Sequence, residues 1–203
     1  MSTVFWDNDL NHLLKHQMKI NLLLNFIIMT EIHNIKTLHQ LLDEDTRRFT
    51  ISEIELQNAI PKWIKKAGSV KLKTILQKYF DQIKHHVKIM DKFFEEENIN
   101  YLKTSSNIMK VFISEADEKM DNCADTMVRD ACILASVQNI NHFKISSYGT
   151  AAAFANTLGM AKTGILFHEF EINEKQIDDR LSQLAEHEIN KGALAQIDLP
   201  YAD

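Results

Sequence analysis

Apolar residues recur along most of the chain at alternating steps of three and four, the spacing that gives an α-helix one buried stripe. Leu38, Leu41, Leu42, Phe49, Leu56, Ile60 and Trp63 predict a first long helix over about 35–67, ended by Gly68-Ser69. Pro61 lies inside it, where it removes a backbone hydrogen bond and predicts a kink in the last turns. Leu72, Leu76, Tyr79, Ile83, His86, Met90 and Phe93 predict a second helix over about 70–97. The pattern then weakens, and Ser105 or Ser106 is a candidate cap for a short helix carrying Ile108, Val111, Phe112 and Met120. A third long helix, over about 125–158, is read with Val128, Ala131, Ala135, Gln138, Asn141 or His142, Ile145 and Tyr148 on its stripe, and Gly159 ends it. The last, over about 160–190, carries Leu166, Phe167, Phe170, Glu174, Ile177, Leu181 and Leu184.

Tight hairpins at Gly68-Ser69 and Gly159 make their flanking helices antiparallel, whereas the middle connection, of about 27 residues, is long enough to run the length of a bundle. Helices two and three can then run parallel. The expected fold is all-α: a ferritin-like four-helix bundle with one long crossover between helices 2 and 3. Residues 37–190 are read as this bundle, 1–36 as an N-terminal extension with helical character, and 191–203 as a C-terminal tail.

Composition narrows the class further. Five Gly and two Pro in 203 residues are too few turn formers for a many-stranded sandwich or barrel. The net charge of −5 is interspersed, giving neither the basic stripe of a nucleic-acid binder nor an acidic tail. Cys123 and Cys132 are too few for a disulfide framework; they read as small buried hydrophobes in a reducing compartment, and the expected location is the cytoplasm. Lys15, His16 and Lys19 precede an apolar run from Ile20 to Met29 that has the outline of a signal peptide, but Asn21 and Asn25 interrupt it and no small-residue cleavage site follows. It is also too short to span a bilayer. The alternatives are an extra amphipathic helix, or upstream sequence ahead of a natural start at Met29.

The candidate chemistry lies on the seams. Each long helix carries polar side chains on its apolar stripe near mid-length: Glu53 on the first, His86 with Gln82 on the second, Gln138, Asn141 and His142 on the third, Glu174 with Asp178 on the fourth. A buried carboxylate or imidazole costs several kcal/mol unless it is paired, hydrogen-bonded or bound to metal. In an antiparallel or single-crossover bundle these mid-helix positions meet at one level. Carboxylates and imidazoles on four facing helices are how bundles build di-iron and di-manganese centres. No complete Glu-x-x-His motif lies on a seam, however: Gln82 and Ile83 precede His85-His86, and Asn139 stands three residues before His142. Lys144 shares a face with Asn141 and Tyr148. Turned inward, its ammonium would neutralise the carboxylates as a metal does; turned outward, it would run along the bundle edge into water.

Arg129-Asp130-Ala131, followed by His142-Phe143-Lys144-Ile145-Ser146-Ser147-Tyr148-Gly149-Thr150, resembles the hallmark helix of the YciE/YciF family of ferritin-like proteins. Ala59-Ile60-Pro61-Lys62 is similar to that family's Ala-Leu-Pro-Lys, which puts Glu53 on its metal-binding glutamate. His86-Val87 falls on its Gln-Val or His-Val pair, and Glu174 and Asp178 fall on its acidic helix-four pattern, with Leu181, Leu184 and Ala185 after them. The resemblance implies a ferritin-like fold, a homodimer and a stress-associated role. The chain departs from the family where Gln82 replaces a glutamate and where Asn141-His142-Phe143-Lys144 replaces Glu-His-Tyr-Glu. Three carboxylates expected near the site are therefore absent.

The resulting expectation is a degenerate di-metal site in a protein with a non-catalytic structural or binding role. Any iron or manganese would be weakly held by Glu53, His86, Glu174 and Asp178. The alternative is a di-iron or di-manganese oxidase or catalase-like enzyme using the same ligands. A third possibility, a dimerising scaffold, draws on the apolar residues Phe5, Trp6, Leu22 to Leu24 and Phe26 to Met29.

Overall fold

The computed structural model describes residues 35–96 and 106–194. The chain divides into units Met1–Lys36 and Thr37–Asp203, and the helices below all belong to the second. The apolar N-terminal run, with Phe5 and Trp6, and the tail beyond Leu194 lie outside the described residues.

Helix α1 spans Leu38–Lys66, and the Thr37 hydroxyl caps it by accepting the Gln40 N–H at 3.1 Å. Pro61 is accommodated within the helix. Helix α2, Val70–Glu96, begins after a three-residue turn, Ala67 to Ser69, with the Ser69 hydroxyl accepting the Leu72 N–H at 3.2 Å. Asp130 fixes that turn: its two carboxylate oxygens accept the Gly68 and Ser69 N–H groups, each at 2.7 Å. Helix α3, Asn107–Asn122, is capped by Ser106, which also accepts a 2.7 Å hydrogen bond from Ser52 of α1. Asp125 caps α4, Thr126–Thr157, through the Met127 and Val128 N–H groups. Gly159, at φ 74°, turns the chain into α5, Ala161–Leu184. A π-helical turn, Ala185–Ile189, and a short α-helical turn, Asn190–Gly192, follow.

Helix α1 packs on α2 and α4, α5 packs on the same two, and α3 lies against α1 and α4. Two apolar clusters give the direction of each long helix. One gathers Leu56 to Trp63 of α1, Leu72 to Ile83 of α2, Ile133 to Ile140 of α4 and Ile177 to Leu184 of α5. The other gathers Leu42 of α1, Met90 and Phe94 of α2, Tyr148 to Ala155 of α4, and Phe167 and Phe170 of α5. Helices α2 and α4 both run from the first cluster to the second, while α1 and α5 run the opposite way. This is the single-crossover arrangement of ferritin-like bundles, with α3 carried on the crossover.

The structure corrects three of the predicted faces. On α4 the buried stripe is Asp130, Ile133, Leu134, Val137, Ile140, Asn141, Lys144 and Tyr148; Val128 and Ala135 are exposed. This helix touches α1, α3 and α5, so apolar residues lie on several faces and a single periodic stripe is a poor guide. On α3 it is Met109, Ala116 and Met120 that are buried, while Ile108 and Val111 face solvent. Cys123 and Cys132 are half-buried free thiols rather than core residues. On α2, Phe94 rather than Phe93 is buried at the last turn.

Candidate functional site

Between the two apolar clusters lies a layer of polar side chains, every one of them on a buried stripe. Helix α1 contributes Glu53, α2 contributes Tyr79 and His86, α4 contributes Asn141, Lys144 and Tyr148, and α5 contributes Glu174; none is more than 3% exposed. The spacings 79–86 and 141–144–148 keep the residues of α2 and of α4 on one face across successive turns.

Lys144 is the hub. Its Nζ lies 2.6 Å from Glu174 Oε1 and 2.9 Å from Glu53 Oε1, and it donates to the Tyr79 hydroxyl at 3.2 Å while resting 4.7 Å from that ring's centroid. Tyr148 donates to the same Glu53 Oε1. His86 Nδ1 lies 3.1 Å from Glu53 Oε1 and 3.7 Å from Glu174 Oε1, so Nδ1 carries a proton toward the carboxylates. The imidazole stacks on Phe170 at 4.0 Å between centroids, and its Nε2 lies 3.5 Å from Asn173 Nδ2. Asn141 donates to Glu174 Oε2 at 2.5 Å, and half-buried Gln82 donates to Glu174 Oε1 at 3.3 Å. Within this layer two buried acceptors are left without a protein partner, Glu53 Oε2 and Asn141 Oδ1.

The electrostatics follow from one ammonium serving two carboxylates. Burial alone would raise the Glu53 carboxyl, but Lys144, with hydrogen bonds from His86 and Tyr148, outweighs it and holds the group at about 2. Burial pushes Glu174 up despite Lys144, and the charge on Glu53 adds to the rise. For Lys144, burial opposes the charge, but Glu174 and Glu53 overcome it and move the ammonium well above its ordinary range. Burial and the nearby carboxylates keep both tyrosines protonated.

Of the four sequence-predicted ligands, Glu53, His86 and Glu174 converge: one ligand atom from each lies within 4.8 Å of the others. Asp178 lies apart, 3.0 Å from exposed His142 and 3.4 Å from Gln138, with a side chain 20% exposed. Asn141 and Gln82 join the cluster, whereas Gln138 and His142 belong to the Asp178 satellite. Tyr79 and Tyr148 occupy apolar seam positions in the sequence pattern, yet they supply hydroxyls to the site. The available signal was tyrosine rather than Phe or Leu in step with the polar positions, since a buried hydroxyl needs a partner.

Fold and site together define a single-crossover ferritin-like bundle with an ionised hydrogen-bonded layer at its centre. The chain belongs to the family described as a domain of unknown function, DUF892, whose model matches residues 37–194. It is 30% identical to Protein YciF of Escherichia coli (strain K12) over 143 residues, covering 70% of this chain and 86% of that protein. The crystal structure of the E. coli stress protein YciF superposes with a TM-score of 0.73 at 28% identity, covering 77% of this chain and 99% of the other. YcfI from Rhodopseudomonas palustris, for which a structural role has been put forward, superposes with a TM-score of 0.70 at 27% identity, covering 73% and 95% of the two chains. The family resemblance carried by the 129–150 segment is thus shown.

Two hallmark residues have a physical role here. Asp130 pins the α1–α2 turn through the Gly68 and Ser69 N–H groups. At Gly149, an added Cβ would sit 3.2 Å from Glu171 Cδ, so the glycine permits close approach of α4 and α5. No helix among the described residues is long and apolar enough to cross a membrane.

Proposed function

We propose that this chain is a cytoplasmic, homodimeric stress-associated protein whose ancestral di-metal site has become a salt-bridged core, and that its role is structural or binding rather than catalytic. The observation that carries this reading is Lys144 Nζ at 2.6 and 2.9 Å from the Oε1 atoms of Glu174 and Glu53. A bound cation would draw on those same oxygens. Two carboxylates and one imidazole, with amides at Gln82 and Asn141, also supply too few anionic donors to fit two hard divalent ions. The likeness to E. coli YciF, a stress protein, and to YcfI supports the stress-related and structural parts of the reading.

A second reading, one divalent ion on Glu53, His86 and Glu174, draws on the unpartnered buried Glu53 Oε2. It requires Lys144 to withdraw or lose its proton. The oxidase or catalase-like alternative needs a second ion as well, for which Asp178, engaged with His142, is poorly placed.

Metal content decides among these readings. Untagged protein expressed with added iron and manganese, and analysed by inductively coupled plasma mass spectrometry, should carry far less than one equivalent per chain. Near two equivalents would overturn the proposal and make peroxide- and oxygen-dependent ferrous oxidation the next assay. Near one equivalent, lost in Glu53→Gln, would establish the single-ion reading instead.

A further inference from the structure

Away from the central layer, the junction between the crossover helix and α4 brings two thiols together. Cys123 ends α3, and its Sγ donates to the Lys119 carbonyl at 3.2 Å. Cys132 lies in the second turn of α4, three residues on from Arg129 and so on the helix face that meets Cys123, where it packs at the edge of the core with the Ser136 hydroxyl and the Lys119 ammonium in its surroundings. The Arg129 guanidinium donates to the Cys123 carbonyl at 2.9 Å, holding the end of α3 against the first turn of α4. Both cysteines are free and half-buried, so solvent and small oxidants reach them. Neither takes part in the Lys144 cluster.

We propose that Cys123 and Cys132 are a peroxide-responsive thiol pair that closes into an intramolecular disulfide, tying α3 to α4. The chemistry balances with hydrogen peroxide as oxidant. The Cys123 thiolate attacks one peroxide oxygen; an S–O bond forms, the O–O bond breaks, and the departing hydroxide takes up a proton as water. Cys132 then attacks the sulfenic sulfur; the S–S bond forms, the S–O bond breaks, and a second water leaves with the Cys132 proton. Two thiols are oxidised while one peroxide is reduced to two waters. Cys132 packs against the apolar core while Cys123 caps the end of α3, and burial raises the Cys132 thiol, so Cys132 takes the resolving role. A small thiol reverses the bond by exchange. The disulfide closes a short ring across the α3–α4 junction, where hydrogen bonds from Trp63 to Asp117 and from Lys66 to Asp121 already dock α3 on α1.

Trypsin separates the two cysteines, because Arg129 lies between them: one falls in the peptide Met120–Arg129 and the other in Asp130–Lys144. Full-length protein is treated with hydrogen peroxide, alkylated, digested without reductant and analysed by mass spectrometry. The expected product is the two peptides linked, lighter by about 2 Da than their sum and separated by dithiothreitol. Oxidised protein should also melt roughly 3–10 °C higher than reduced protein. In Cys132→Ser, the reaction should stop at a sulfenic acid on Cys123 that dimedone captures. Oxygen added to a single cysteine without linkage, a disulfide only between two chains, or two thiols that remain fully alkylatable after peroxide would each overturn the proposal. The linkage test on the unmodified chain decides the matter even where a serine variant folds poorly.

Discussion

Replacing Lys144 with Met keeps an unbranched side chain at a position only 3% exposed and removes its charge. Glu53 and Glu174 then lose their donors at 2.9 and 2.6 Å, and two buried carboxylates confront each other with His86, Tyr148, Asn141 and Gln82 as their remaining support. Removing one partner of a buried ion pair costs about 3–5 kcal/mol, because the charge left behind stays desolvated. For a chain of 203 residues that corresponds to a fall in Tm of roughly 6–20 °C. The pH dependence supplies a second readout. In the wild type, Glu53 is held at about 2 against 4.5 for the free group, so its contribution, about 3 kcal/mol, is complete above 4.5 and is lost as pH falls toward 2. Glu174 has the opposite sign: its raised folded value makes its contribution decline as pH rises past 4.5. Without Lys144 both carboxyls should be raised, so the deficit of the variant should shrink on acidification from about pH 7 to about pH 5. Urea unfolding followed by far-UV circular dichroism, at both pH values, measures this. Glu174→Gln should cost less in the Lys144→Met background than alone, with a coupling of about 1–3 kcal/mol. A Lys144→Met protein within about 0.5 kcal/mol of wild type at both pH values would refute the reasoning.

Asp130→Ala strips the acceptors from two backbone N–H groups at 2.7 Å and should cost about 2–4 kcal/mol in urea unfolding; Asp130→Asn, which keeps one acceptor, should cost about half as much. A loss below about 1 kcal/mol for the alanine variant would show that the turn holds itself without Asp130. Gly68→Ala places a Cβ 2.4 Å from Thr126 Cγ2 and 3.2 Å from Asp130 Oδ2, and should lower stability by about 1–3 kcal/mol. Thr126→Ser, which lacks that methyl group, should restore most of the loss; equal Tm for the single and double variants would reject the steric explanation.

The fold was legible because its strongest signals are local. The stripe on α2 faces a core on one side only, and every predicted position from Leu72 to Met90 is buried. Hairpin glycines and the long middle link then restrict topology on chain-length grounds alone. On α4 the same method failed, since contacts on three sides remove the polar face against which a stripe is recognised.

The site was legible by level but not by partner. Mid-helix placement brought Glu53, His86 and Glu174 together, as antiparallel geometry requires. Asp178 shows where such reasoning ends. Four residues past Glu174 it has advanced about 6 Å along the axis and rotated about 40° around it, while Ile177, one residue earlier, keeps to the seam at 2% exposure. The carboxylate therefore leaves the four-helix centre for the α4–α5 edge, where His142 and Gln138 meet it. Lys144 is the converse case. Its spacing from Asn141 and Tyr148 fixes its face, but a lysine on that face can extend either way. What turns it inward is a property of two other helices: Glu53 and Glu174 present their Oε1 atoms at one level, and two buried anions, both far from Lys144 in sequence, leave the core unbalanced until a cation reaches both.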